Sequence, residues 1–327
     1  MYVRISGRLI INVASLNAQG TVGNLVELTK VHMVRSGINN RELIEVPAMT
    51  GNSLKHWHFA HFIKEYKKLR GDNAMLCDDC IRGVGFRTRQ KLGNDEANYI
   101  KRCAGEDLHG FLMPDLQVRR ESLVKFSFLL PVEDMRDRAI DTVTHNRVVV
   151  TEQGRIEGEA AMMLFKRQYS SNTYGFSATL DLGLIGVRLY SADKKPVIES
   201  SEERKERAKA ALIAFIPLLS GMFGANTARS LPVEKVKELL VISSKKPLPL
   251  PVNAIYVDYV EKSLQVLRNY CETTGVEADV HIYGIDVKII EDILKDCKEI
   301  RIRPGYDDWS TIFRTLAEEV TKSFAGS

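Results

Sequence analysis

From Tyr2 to Val13 the chain alternates. Val3, Ile5, Leu9, Ile11 and Val13 stand against Tyr2, Arg4, Ser6, Arg8 and Asn12. A period of two predicts a half-buried β-strand carrying two arginines on one face. After Thr50 the period lengthens: Leu54, Trp57, Phe62 and Tyr66 form an apolar stripe, with Asn52 or Ser53 as the expected cap and Gly71 as the stop, which predicts a helix. Ser122–Leu130 reads as a strand closed by Pro131, and Tyr174–Val187 as a second strand. Ser201 is the expected cap of "EERKERAKAALIAFIPLLSGMFG", an amphipathic helix with an acidic first turn. Glu234–Ser243 then reads as a strand and "KKPLPLPVN" as a Pro-rich connector; Val257–Thr274 reads as a helix and "ADVHIYG" as a short strand. A last helix capped by Asp307 or Asp308 is expected to reach about Phe324. The main elements follow the order β-α-β-β-α-β. That order predicts an α+β, ferredoxin-like (RRM-like) core with a long insertion after the first helix and an inserted hairpin over 132–173. Many RNA-recognition modules share this core and carry the ligand on the sheet.

Charge changes the picture by its distribution. The net value over 327 residues is only +4, yet residues 1–70 hold ten Lys/Arg against four Asp/Glu. A basic first third is an electrostatic footprint for phosphates, or simply a solvated surface; composition leaves both readings open. No run approaches the roughly 20 apolar residues of a membrane span, and Arg4 and Arg8 break any signal-peptide pattern, so the expected location is the cytoplasm, with no membrane partner.

Five stretches can carry chemistry. In "SLNAQGTVGN", Asn17, Gly20, Gly23 and Asn24 allow close backbone approach and hydrogen bonding, though the stretch lacks phosphate-loop spacing and reads equally as a plain connection. At "TGNSLKHWHF" a helix start with Lys55 suits a phosphate, while His56, His58 and His61 lack the pattern of a catalytic metal site. Cys77 and Cys80, spaced as CxxC, with Cys103 and His109 make up a Cys₃His set for a structural zinc, or else a group of buried thiols. In "THNRVVV" and "MLFKRQYSS", the residues His145, Asn146, Arg147, Lys166 and Arg167 lie on an expected hairpin with a Met162–Met163–Phe165 cluster. Cations there can neutralise phosphates and apolar groups can wedge between bases. "SGMFGANTARSLP" joins a helix end, a Gly-rich turn and Arg229.

In that order "SLNAQGTVGN", "PAMTGNSLKHWHF", "EDLHGFLMP", "THNRVVV", "MLFKRQYSSNTYGF" and "SGMFGANTARSLP" resemble the DevR-type CRISPR-associated backbone proteins, above all the archaeal type I-A form, the major repeated subunit of Cascade. The resemblance spans residues 1 to about 260. It implies a non-catalytic subunit that stacks head-to-tail on CRISPR RNA beside other Cascade subunits and presents the guide bases for pairing with target DNA. It implies an RRM-like palm over 1–70, 116–131 and 174–260, a fingers-type insertion over 71–115, a thumb hairpin over 132–173 and a C-terminal extension over 261–327. It places Asn17, Gly20, Thr50, Asn52, Ser53, Lys55, His145, Asn146, Arg147 and Arg229 in the RNA groove. Arg4 and Arg8, from the first strand's polar face, are a further expectation. Related type III subunits cut RNA with a thumb Asp, which Asp137 or Asp141 would have to supply here. Two other readings remain open: an endoribonuclease using His145, and a zinc-containing DNA-binding regulator.

Overall fold

A computed structural model describes residues 1–36, 41–84, 90–134, 139–148, 162–225, 230–303 and 305–323. The chain begins with β1 (Tyr2–Ala14) and two hairpins, β2–β3 (Ala18–Val22, Leu25–Leu28) and β4–β5 (Lys30–Ser36, Arg41–Pro47), before helix α1 (Gly51–Arg70). The following stretch carries α2 (Asp78–Ile81), α3 (Glu96–Arg102), α4 (Ala104–His109) and the hairpin β6–β7 (Phe111–Met113, Val118–Arg120). Short strands β8 (Val124–Phe126) and β9 (Leu130–Pro131) precede the long pair β10 (Ala139–Val148) and β11 (Met162–Leu180). Then come α5 (Ser201–Ile213), α6 (Phe215–Leu219), β12 (Val233–Ser244), α7 (Tyr259–Thr274), β13 (Ala278–Tyr283), α8 (Val287–Leu294), β14 (Ile300–Arg303) and α9 (Ser310–Ser323).

The central sheet runs β8-β11-β1-β12, every neighbouring pair antiparallel, and β13 and β14 extend it beyond β12. One face of β1 (Val3, Ile5, Leu9, Ile11) packs with Phe59, Phe62 and Tyr66 of α1 and Ala208, Ala211 and Leu212 of α5 in the main core. Helix α9 closes that core from outside, Phe313 stacking on Phe215 at 5.1 Å. Alternate residues of β12 serve two cores: Leu239 and Val241 face the first, while Leu240 and Ile242 face a second built with α7 and α8. Cys271 and Cys297 lie in that second core.

Several expected boundaries move. Thr50, not Asn52 or Ser53, caps α1, its hydroxyl accepting from the Ser53 N–H at 3.1 Å. Ser200, not Ser201, caps α5. The expected strand 122–130 is two short strands, and the expected strand 174–187 ends at Leu180 but starts twelve residues earlier, at Met162. The stretch read as the loop "SLNAQGTVGN" is mostly the β2–β3 hairpin, and β4–β5 had no forecast in the sequence.

The stretch 71–120 lacks a helical stripe long enough to hold itself; buried charge fixes it to α5 and to the segment that follows β11. Asp107 accepts from Arg120 Nη2 at 2.6 Å, from Arg207 Nη1 at 2.9 Å and from the Gly186 N–H at 3.1 Å. Arg120 also reaches Glu96 at 2.5 Å, and Arg207 reaches Glu203 at 2.6 Å. Burial alone would lower the Arg207 pKa, but Asp107 and Glu203 outweigh it and raise the value.

Candidate functional site

The chain's long arm grows out of the sheet. The second half of β11 (Tyr174–Leu180) pairs with β1 in the body, while its first half pairs with β10 from Ala139↔Ser171 to Val148↔Met162. On its other edge the same half takes β3 as a parallel neighbour, at Lys166↔Leu25 and Arg167↔Val26. Three polar contacts tie the β2–β3 hairpin there. The Lys166 N–H donates to the Asn24 carbonyl at 2.8 Å, Asn24 Nδ2 to the Leu164 carbonyl, and the Leu28 N–H to Gln168 Oε1 at 3.1 Å. The expected loop at 15–24 and the expected hairpin arm are therefore one surface.

Strand geometry divides the candidate residues between the two faces of the arm. His145 lies opposite Phe165, the rings stacked at 5.3 Å, and its Nε2 sits 3.0 Å from the Tyr169 hydroxyl. Arg167 shares the Phe165–Tyr169 face, its guanidinium 5.9 Å from the Phe165 ring. It is 9% exposed, and its Nε and Nη1 have no hydrogen-bond partner among the described residues. Lys166 and Asn146 point to the opposite face, exposed. Phe165 and Tyr169 complete the His145 surroundings; only the β10–β11 register reveals that, and no local motif carries it.

At the arm's root the start of α1 meets the base of the β2–β3 hairpin. Asn17 Oδ1 accepts from the Thr50 N–H at 3.3 Å, and the Asn17 carbonyl accepts from the Thr29 N–H at 2.9 Å. Asn17 thus meets the cap residue Thr50; Asn52 and Ser53 follow in a first helical turn without acidic residues, and Lys55 lies just beyond it. Gly20 lies on the exposed β2 with open space where a Cβ would stand. Arg229, Asp137 and 149–161 lie outside the described residues; Arg147, Met162 and Met163 are described only through their backbone in β10 and β11.

The other face of the central sheet is not available. The Pro-rich connector lies across it: Ser6 Oγ donates to the Val252 carbonyl at 2.7 Å, Arg4 Nε to Leu248 and Arg8 Nε to Ala254. Gly175 is needed for this approach, because a Cβ there would collide with the backbone at Ala254 and Ile255. Arg4 also pairs with Asp181 at 2.8 Å, and Arg8 stands over the Tyr259 ring. The expectation that Arg4 and Arg8 face a ligand is therefore corrected: both hold the connector to the sheet, and the sheet cannot carry a ligand as in an open RNA-recognition module.

The expected zinc set also changes. Cys77, Cys80 and Cys103 converge, all buried, with their sulfur atoms within 4.8 Å of one another. His109 is not part of the group. Its Nε2 lies 2.9 Å from His58 Nδ1, while His58 Nε2 donates to the Ala211 carbonyl at 2.9 Å. Placed at the end of α4, His109 turns toward α1 and α5, where it bridges the insertion to the core. Burial lowers the His58 pKa to about 3, so it stands neutral in this chain of rings. Hydrogen bonds from the Cys103 and Cys80 thiols hold the Cys77 sulfur far below the ordinary thiol range, helped by the backbone N–H groups of Cys80 and Asp79.

Among the described residues, no helix is long and apolar enough to cross a membrane. Residues 5–264 match the family described as "CRISPR-associated negative auto-regulator DevR/Csa2". The "CRISPR-associated protein Cas7/Cst2/DevR" of Methanocaldococcus jannaschii is 43% identical over 304 residues, covering 88% of this chain and 94% of that one. The protein of the same name from Thermoproteus tenax is 38% identical over 310 residues, covering 91% of each. A solved structure titled "CRISPR RNA-guided surveillance complex, pre-nicking" contains a chain similar in fold, with a TM-score of 0.51 at 11% identity, covering 98% of this chain and 100% of that one. Together with the order of motifs along the arm and its root, these matches show that the chain belongs to the DevR/Csa2 family of CRISPR-associated Cas7 proteins.

Proposed function

We propose that this chain is a non-catalytic, RNA-binding backbone subunit of a type I-A Cascade complex, one that repeats head-to-tail along a CRISPR RNA and leaves the guide bases to pair with target DNA. The observation that carries this reading is the arm. A strand continuous with the central sheet bears Lys166 and Arg167, its partner strand bears His145 and Asn146, and the pair is tied through the β2–β3 hairpin to Asn17 and the α1 start. The antiparallel order β8-β11-β1-β12, with α1 and α5 on one face, supports the RRM-like palm. On this reading 71–115 is the fingers-type insertion, 132–173 the thumb and 261–327 the C-terminal extension. Because the connector covers the sheet, RNA would follow the arm and the α1 start, where cations and backbone N–H groups recognise phosphate rather than base identity. The stacked His145–Phe165 pair offers a flat face to an unstacked base.

A repeating subunit needs a non-closing interface, in which the arm of one copy rests on a different surface of the next. Sequence selection then falls to guide–target pairing. The test uses the full chain with labelled single-stranded RNAs of unrelated sequence. Binding should be alike for all, weaken steeply with salt and protect RNA in regular steps of about six nucleotides. No hold on any single-stranded RNA at low ionic strength overturns the proposal. Metal-independent cleavage that vanishes in His145→Ala would replace it with the nuclease reading, and preference for one duplex DNA sequence with the regulator reading.

A further inference from the structure

The thiols of the insertion are not among the residues placed along the proposed RNA path, so what they do is a separate question with a separate test. Cys77 immediately precedes α2 and Cys80 lies within it; Cys103, far along the chain, is the joint between α3 and α4. All three are free thiols. At a metal–sulfur distance of about 2.3 Å, the sulfurs of a tetrahedral ion lie about 3.8 Å apart. A triangle with every edge inside 4.8 Å therefore has the size of one ion. An iron–sulfur cluster, which interposes several irons and sulfides between its cysteines, needs a wider frame.

The surroundings fit that size. Gly105 makes room for the Cys80 sulfur, since a Cβ there would stand 2.8 Å from it. One side of the triangle is closed by the core around Phe59 and Ile63. The other side opens on a cavity of about 150 Å³ whose wall includes Cys77, Asp79, Arg82, Arg102 and Glu106. Three thiolates and a divalent ion leave one net negative charge; in the same wall Arg82 is paired with Asp79 at 2.7 Å, and Arg102 stands beside Asp78 and Glu106.

We propose that Cys77, Cys80 and Cys103 bind one zinc ion, with its fourth coordination position facing this cavity beside Glu106. Soft thiolates select zinc over the hard, oxygen-seeking cations. The ion would join α2 to the α3–α4 joint across a segment too short in regular structure to fix itself.

The test begins with metal analysis of the purified full chain, where about one zinc per chain is expected. Replacing it with cobalt should give the thiolate-to-cobalt charge-transfer band and the strong visible bands of a tetrahedral site. Both should be lost in Cys103→Ser. In Glu106→Gln the stoichiometry should remain while chelator-driven release quickens about ten- to a hundredfold. Should Cys103→Ser not fold, the unmodified chain suffices: chelator should expose three thiols to alkylation, and one equivalent of zinc should protect them again. The proposal is overturned by chain that takes up no metal from excess zinc and shows no cobalt charge-transfer band. A Cys77–Cys80 disulfide in freshly purified protein would overturn it equally. Neither result bears on whether the arm binds RNA.

Discussion

Arg207, which reaches into the insertion, and Arg167, in the arm, are both nearly sealed from water, at 0% and 9% exposure, yet their surroundings are opposite. Arg207 has Asp107 at 2.9 Å and Glu203 at 2.6 Å, and neighbouring Arg120 shares Asp107 and adds Glu96. Around Arg167 the Phe165 ring is a neighbour, but Nε and Nη1 have no acceptor among the described residues. A buried guanidinium is costly to leave unpaired. Where the protein supplies its own carboxylates, the arginine serves the fold; where none stands among the described residues, as at Arg167, the proposed RNA phosphate would be the missing anion. Charge content alone does not separate the two regions, but the pairing of each charge does.

The strongest way to break this contrast is to remove the shared acceptor. Asp107→Asn should lower unfolding stability by about 3–5 kcal/mol, read from denaturant titration of the full chain, because two guanidinium groups then lie buried beside a neutral group. A loss under about 1 kcal/mol would mean that the network is not what fixes the insertion. In the arm the opposite pattern is expected. Arg167→Gln should leave stability level or slightly higher while RNA affinity drops about ten- to a hundredfold, the worth of a charged hydrogen bond. Unchanged affinity with lost stability would erase the distinction.

Acid sharpens the comparison at the joint between insertion and core. The folded value of His58, about 3, lies below an unfolded value of about 6.5, so its contribution is complete above pH 6.5 and declines as pH falls toward 3. Stability at pH 5 should be lower by about 2 kcal/mol on this account, with faster amide exchange in α4, which bears the His109 partner. Equal stability at pH 5 and pH 7.5 would remove His58 from the account. The smallest effect belongs to exposed Lys166. Lys166→Ala should weaken RNA binding severalfold, alike for unrelated sequences, and reduce the slope of log affinity against log salt by about one. A sequence-selective loss would contradict a phosphate contact.

The sequence announces those regions of the molecule that have their own period. Alternation marked β1, and the apolar stripe before Gly71 marked α1, its end at the expected stop and its cap two to three residues before the expected one. β12 and α7 were equally legible. Helices α2, α3 and α4, with four, seven and six residues, are too short to show a stripe, and long-range pairs such as Arg120–Glu96 and Arg207–Asp107 hold them. The segment "FKRQYSSNT" reads as one side of a hairpin, but its continuity with the body strand and its second neighbour β3 carry no sequence signal, since ladder bonds rather than apolar packing keep it extended. CxxC pointed to the thiol group, but spacing could not tell that His109 turns to His58 instead. Arg4 and Arg8 misled for a related reason: alternation says which side a residue is on, not what the chain later lays over that side.

One strand, β11, runs for 19 residues, roughly 60 Å at 3.3 Å per residue, and belongs to the arm at one end and to the body at the other. A load applied at the tip therefore travels along a single covalent backbone into the centre of the molecule. There it meets the ladder with β1 end-on, so that many bonds would have to slide together rather than give way in succession. The limb behaves as a beam set into masonry, not as a flap on a hinge, and can keep its bearing when something long and charged pulls against it.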